Sequence, residues 1–182
     1  MRTFILVTLL ITCSVYVAAQ QTSSQTRAQE LAASFSKQKS VTKEKNGIKV
    51  EKYKEVRCEP LVRQNVSEYS GAYEVPDLPY SINLQVGTDG RVQARGVETS
   101  SVTNQARTFK LENAKIEGAL LTGTKLYEDG TTVKFEGLFM TRTDRDSPTD
   151  VGTSQVGLGV ALATPFERDN VTFQRLFYQL KP

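Results

Sequence analysis

The residue types that could do chemistry in this chain are few, and most lack the partner they would need. Ser-x-x-Lys sets a hydroxyl near an amine able to take its proton, and it occurs as Ser34 with Lys37, Ser36 with Lys39 and Ser40 with Lys43. Overlapping matches in one Ser/Lys-rich stretch are what composition alone produces, and no companion motif accompanies them. Cys58 has Arg57 and Glu59 beside it but no base. There is no histidine, which removes Ser-His triads, Cys-His dyads, haem ligation by His and the usual catalytic zinc sites. Asp144, Asp146 and Asp150 crowd one polar stretch, and calcium takes such closely spaced carboxylates. Pro148 stands where a loop ligand would be needed and Arg142 and Arg145 neutralise the cluster, so a solvated turn without a metal is expected. Gly157-Leu158-Gly159-Val160 lacks the Lys-Ser/Thr pair of a phosphate loop and reads as a strand packed closely on its neighbour. No catalytic residue and no cofactor is expected, and the chain reads as a non-enzyme.

What remains is binding. Phe173, Phe177 and Tyr178, with Leu176 and Leu180, would line a ligand cavity or simply fill a core. A second candidate is a charged surface: Lys37 to Arg57 holds eight basic and three acidic residues. Lys49, Lys52 and Lys54 are the residues expected to meet an anionic surface such as lipid headgroups or polysaccharide, against the alternative of a solvated strand face that discourages edge pairing.

The compartment follows from the N-terminus. Met1-Arg2-Thr3 is a short basic lead, Phe4 to Val17 is mostly apolar, and Val17-Ala18-Ala19 carries small side chains where a signal peptidase reads them. Cleavage before Gln20 is expected, giving a secreted or periplasmic protein. The apolar stretch is too short to span about 30 Å of hydrocarbon, so no transmembrane segment is expected. Cys13 is preceded by Leu10-Ile11-Thr12 rather than the small residues lipidation needs, so it leaves with the signal. Cys58 is then the one mature cysteine and cannot form an internal disulfide. Its alternation with Val56 points to burial. The sequons Asn65-Val66-Ser67 and Asn170-Val171-Thr172 would matter only in a eukaryotic host. Without the signal the net charge is +2, too small for nucleic acid to be the expected partner.

Three zones position these residues. Residues 1–19 are the signal, 20–60 an N-terminal helix and basic lead strand, and 61–182 a β-barrel. Ala28, Leu31, Ala32 and Phe35 fall on one helical face, with Thr26 and Gln29 spaced as a capping box. Gly47 to Glu51 and Val56 to Glu59 alternate apolar and charged, as half-buried strands do. Tyr80, Ile82, Leu84 and Val86 alternate with polar residues, and an Asp89-Gly90 turn leads into Arg91 to Val97. Phe109 to Leu111 is a further strand with Asn113 near its end, followed by Ala114 to Leu121 and Thr122 to Tyr127. A second Asp-Gly turn precedes Val133 to Phe139, a polar loop spans Arg142 to Asp150, and two more strands close the chain. Turns at this frequency with no second helical pattern predict an all-β antiparallel meander barrel of about eight to ten strands with one N-terminal helix.

Tyr69-Ser70-Gly71-Ala72-Tyr73, then Ile82-Asn83-Leu84-Gln85-Val86 and Asp89-Gly90-Arg91-Val92, resembles the opening hairpins of small lipocalin-like β domains. Such domains are appended to β-lactamase-like serine hydrolases and occur alone in exported bacterial proteins. The resemblance covers Glu68 to Met140, implies an antiparallel barrel in a bacterial envelope, and brings no catalytic residue onto this chain. In such a barrel Tyr80, Ile82, Leu84, Phe135, Phe139 and Phe177 are expected to face inward and bind an apolar or amphipathic small molecule. The alternative is a barrel filled by its own side chains, serving as an interaction module; an eight-stranded barrel sits where either is possible.

Overall fold

The computed structural model describes residues 23–45, 48–99, 105–163 and 173–181. The expected signal, Cys13 and the sequon at Asn170 lie outside them. Alternating sequence becomes alternating burial: β4 (Ser81–Val86) and β5 (Arg91–Thr99) bury every second residue, at Ile82, Leu84, Val86, Val92, Ala94 and Gly96. Their neighbours are β3 (Gly71–Glu74) on one side and β6 (Ala106–Glu117) on the other, followed by β7 (Leu120–Tyr127), β8 (Thr132–Arg145), β9 (Thr153–Ala163) and β10 (Phe173–Leu180). Each strand pairs antiparallel with the next, and β10 returns to β3. Eight strands therefore close an up-and-down barrel. Closure removes the free edges that an open sheet would expose.

Two strands lie outside the ring. β1 (Lys37–Lys45) and β2 (Ile48–Pro60) form a hairpin, and β2 continues onto the second half of β8 through Glu55–Arg145 to Pro60–Met140. It occupies the side of β8 that β7 has vacated. The changeover falls at Phe139, whose N–H donates to Ala119 (2.9 Å) and whose carbonyl accepts from Leu61 (2.8 Å).

The register separates an inner from an outer face. Phe139 pairs with Leu158 and Gly137 with Val160 inside, while Leu138 pairs with Gly159 and Met140 with Gly157 outside. Leu138 and Met140 are nonetheless fully buried. They are covered by α1 (residues 23–35), whose Ala28, Leu31 and Ala32 are buried and whose Phe35 reaches Gly159. Full burial of a side chain such as Leu31 is worth roughly 1.5–3 kcal/mol. Arg27 anchors the helix to Glu136 of β8 at 2.7 Å, and the Ser36 hydroxyl, just past the helix, accepts from the Cys58 N–H at 2.9 Å. At one end the barrel is plugged by a short 3-10 helix (Val66–Tyr69): Tyr69 stacks on Phe139 at 4.0 Å and donates to the Leu61 carbonyl at 2.7 Å.

Four sequence expectations change here. Thr26 lies inside the helix, so it does not cap its start. Lys37–Lys45, read as part of a basic zone, is a strand. Asn113 does not end its strand. Its left-handed backbone (φ 51°) accommodates a bulge within β6, and the turn comes later, at Gly118 (φ 62°). Asn tolerates this conformation because its short polar side chain can bond locally. Arg142–Arg145 is no loop either: pairing with β2 and β9 on both sides carries β8 through it.

Candidate functional site

Inward positions on β7 are Leu121, Gly123, Lys125 and Tyr127, so the strand's alternation drives one lysine into the lumen. Lys125 is 0 % exposed. Its ammonium forms an ion pair with Glu98, the inward residue near the end of β5, and lies 4.3 Å from the Phe109 ring centroid and 5.5 Å from that of Phe135. Tyr127 donates from its hydroxyl to the other Glu98 oxygen at 2.5 Å and meets Phe109 edge-on at 6.0 Å. Outside the ring of interior groups, Arg107 stacks over Tyr127 at 4.1 Å and pairs with Asp129 at 2.9 Å. The Glu98 side chain is 13 % exposed, so the pair is approached from the Glu98 side.

Burial sets the electrostatics. It pulls the Lys125 ammonium below the ordinary lysine value, and the Glu98 charge opposes that pull. The Tyr127 phenol is pushed up by burial and by its bond to Glu98, and Tyr178 by burial with Glu98 and Tyr80 nearby. Both therefore stay neutral donors. The arrangement is a polar anchor in an apolar wall: one carboxylate, one ammonium held by aromatic faces, and phenols.

Below this cluster the lumen is solid. A cavity large enough for a ligand would leave its lining side chains with surface that water could reach, and Leu121, Leu158 and Val160 have none. Ile82, Leu84, Phe135 and Phe139 face inward as expected and are buried in this packed interior. Tyr80, half-buried, stands at the mouth just before β4. Phe177 does not face inward. It pairs with Gly159 on the outer face and packs beneath Arg142, 5.5 Å from its ring, because Leu176 and Tyr178 take the inward positions of β10. Sequence reasoning missed Glu98 and Lys125. An inward phase for Lys125 was legible from Leu121 and Tyr127 on either side of it, but its partner comes from a strand two places away.

The other candidates separate. Lys52 and Lys54 are exposed on the β1–β2 hairpin, while the Lys49 side chain lies outside the described part. Lys49 is one register step out of phase with the other two, opposite Glu44. Cys58 is buried between β2 and the helix layer, where burial pushes its thiol up. Asp144 is held by Arg142 through two bonds of 3.0 and 3.1 Å, and Asp150 accepts from the backbone of Asp146 and Gly152, which keeps its carboxyl below the usual range. Among the described residues no group of acidic or sulfur side chains gathers as a metal site, and no helix is long and apolar enough to cross a membrane. An open groove of about 740 Å³ crosses the outside of β3 to β7. Its charged walls are partly neutralised, as by Lys181 with Glu74 at 2.8 Å.

Fold and site together define a closed up-and-down antiparallel barrel, packed at one end and carrying a buried ion pair toward the other. No protein-family model, curated protein or solved structure matches the chain.

Proposed function

We propose that the protein is an exported, non-catalytic binding barrel, secreted or periplasmic, that takes a small amphipathic molecule at its mouth. The polar head meets Glu98 with N–H or O–H donors, and the apolar body lies against Tyr80 and the aromatic wall beside it. The single observation that supports this reading is the ion pair itself. A buried pair contributes little net stability compared with apolar side chains of the same volume, so a lysine and a glutamate inside an apolar barrel call for another purpose. Ligand sites are mostly apolar with a few placed polar groups, which is the composition found here.

The test uses alkyl probes carrying a dansyl group at the far end of the chain and an amine, hydroxyl or carboxylate at the other. Saturable one-to-one binding of the amine and hydroxyl probes is expected, weakened at least tenfold by Glu98→Gln. Absence of saturable binding for every probe, or equal affinity in the variant, overturns the proposal. The packed lower lumen favours a second reading, an envelope interaction module whose barrel is only a scaffold; a protein that binds no probe but engages a surface would support it.

A further inference from the structure

The hairpin of β1 and β2 leaves the barrel after Glu55 meets Arg145, and from there the two strands have only each other as sheet neighbours. Two-stranded ribbons are marginal in water on their own, so this one is retained at some cost. Its charges are sorted by face. Lys39 is directly opposite Lys54, and Lys37 and Lys52 share their phase; all four are exposed. None makes an ion pair among the described residues. The opposite phase holds three glutamates and one lysine: Gln38 is opposite Glu55 and donates to the Tyr53 hydroxyl at 2.9 Å, Ser40 is opposite Tyr53, Thr42 opposite Glu51 and Glu44 opposite Lys49. Like charges directly opposed destabilise an antiparallel pair, and a Glu at either position would relieve them.

The register extends the sorting. Lys43 stands opposite Val50, Lys45 opposite Ile48 and Val41 opposite Lys52, all in phase with Lys39 and Lys54. By register, the phase that buries Val56 and Cys58 beside the helix also holds Lys37 at the barrel's edge and, once the strand has left the barrel, five more lysines with Val41, Ile48 and Val50 between them.

We propose that this face of the ribbon docks on an anionic lipid bilayer. Lysines are compact point charges suited to the diffuse charge of headgroups, and they lack the planar fork with which arginine reads the edges of bases. The face carries no aromatic residue for base stacking, since Tyr53 belongs to the other phase. Basic residues interleaved with aliphatic ones fit the headgroup boundary, where both find a partner. This surface is separate from the barrel mouth and does not depend on a ligand there.

The test is co-sedimentation of the full mature chain with vesicles of phosphatidylcholine alone and of phosphatidylcholine mixed with phosphatidylglycerol. Binding to the anionic vesicles only, weakening with added salt, is expected. Replacing Lys37, Lys39, Lys52 and Lys54 by Gln should raise the lipid needed for half-binding at least tenfold. A control with the same charge change elsewhere, Arg91, Arg95, Lys110 and Lys134 to Gln, should bind nearly as the parent does. Circular dichroism confirms that both variants fold. The proposal fails if the parent ignores anionic vesicles, if both variants lose binding equally, or if dextran sulfate is bound while vesicles are not.

Discussion

At the scale of single residues, Lys125 decides what kind of interior this barrel has. Replacing it by Met leaves the Glu98 carboxylate without its counter-ion, and removal of one partner of a buried pair costs about 3–5 kcal/mol. The value expected here is at the low end, because the Glu98 side chain keeps some contact with solvent. Lys125→Met together with Glu98→Gln should recover most of that loss, since the amide oxygen still accepts from Tyr127. Urea unfolding of the parent, the single and the double variant checks this; a double variant as unstable as the single one would mean the pair is structural after all. Phe135→Ala tests the packed interior in the same way. If Phe135 fills space, the cavity costs about 3–5 kcal/mol; a loss below about 1 kcal/mol would mean the lumen around it is hollow.

The elements carry two kinds of close packing, and glycines distinguish them. A methyl at Gly157 would collide with the Tyr178 backbone carbonyl and come within 2.8 Å of Phe177 Cζ, whereas at Gly159 it would meet the flexible end of Met140. Overpacking costs about 1–3 kcal/mol, so Gly157→Ala should sit at the top of that range and Gly159→Ala at the bottom. The helix layer has its own reporter in Cys58. Leu31→Ala is expected to speed the reaction of Cys58 with Ellman's reagent while leaving the near-ultraviolet signal of the barrel tyrosines intact. An unchanged rate would mean that α1 does not guard the thiol. Much of this level was legible in the sequence. Period-two alternation at Tyr80 to Val86, the Asp-Gly turns and the helical face of Ala28 to Phe35 are local signals, and they gave the strands, the meander and the helix. What stayed hidden was set by partners distant along the chain. Arg142–Arg145 looks like a loop until two neighbours pair with it, and Phe177 looks like lining until the register turns it outward. Asn113 ends a strand by composition but bulges one in context.

For the whole molecule, the tyrosines link pH to folding. Burial raises the phenols of Tyr69, Tyr73, Tyr127 and Tyr178, that of Tyr73 to about 12. Above about pH 10 the unfolded chain loses phenolic protons that the folded chain keeps, so it binds fewer protons and stability falls as pH rises. Absorbance of tyrosinate should therefore show these four phenols ionising in one cooperative step with unfolding. Independent, gradual ionisation of all of them would mean an interior open to water. The proposed binding role rests on the Glu98–Lys125 pair. Native mass spectrometry of the protein, purified without detergent from an exporting host, tests that role most directly. One small molecule bound to the parent, released on denaturation and missing from Lys125→Met/Glu98→Gln, is expected; bare protein in both, or the same adduct in both, would overturn the proposed binding role.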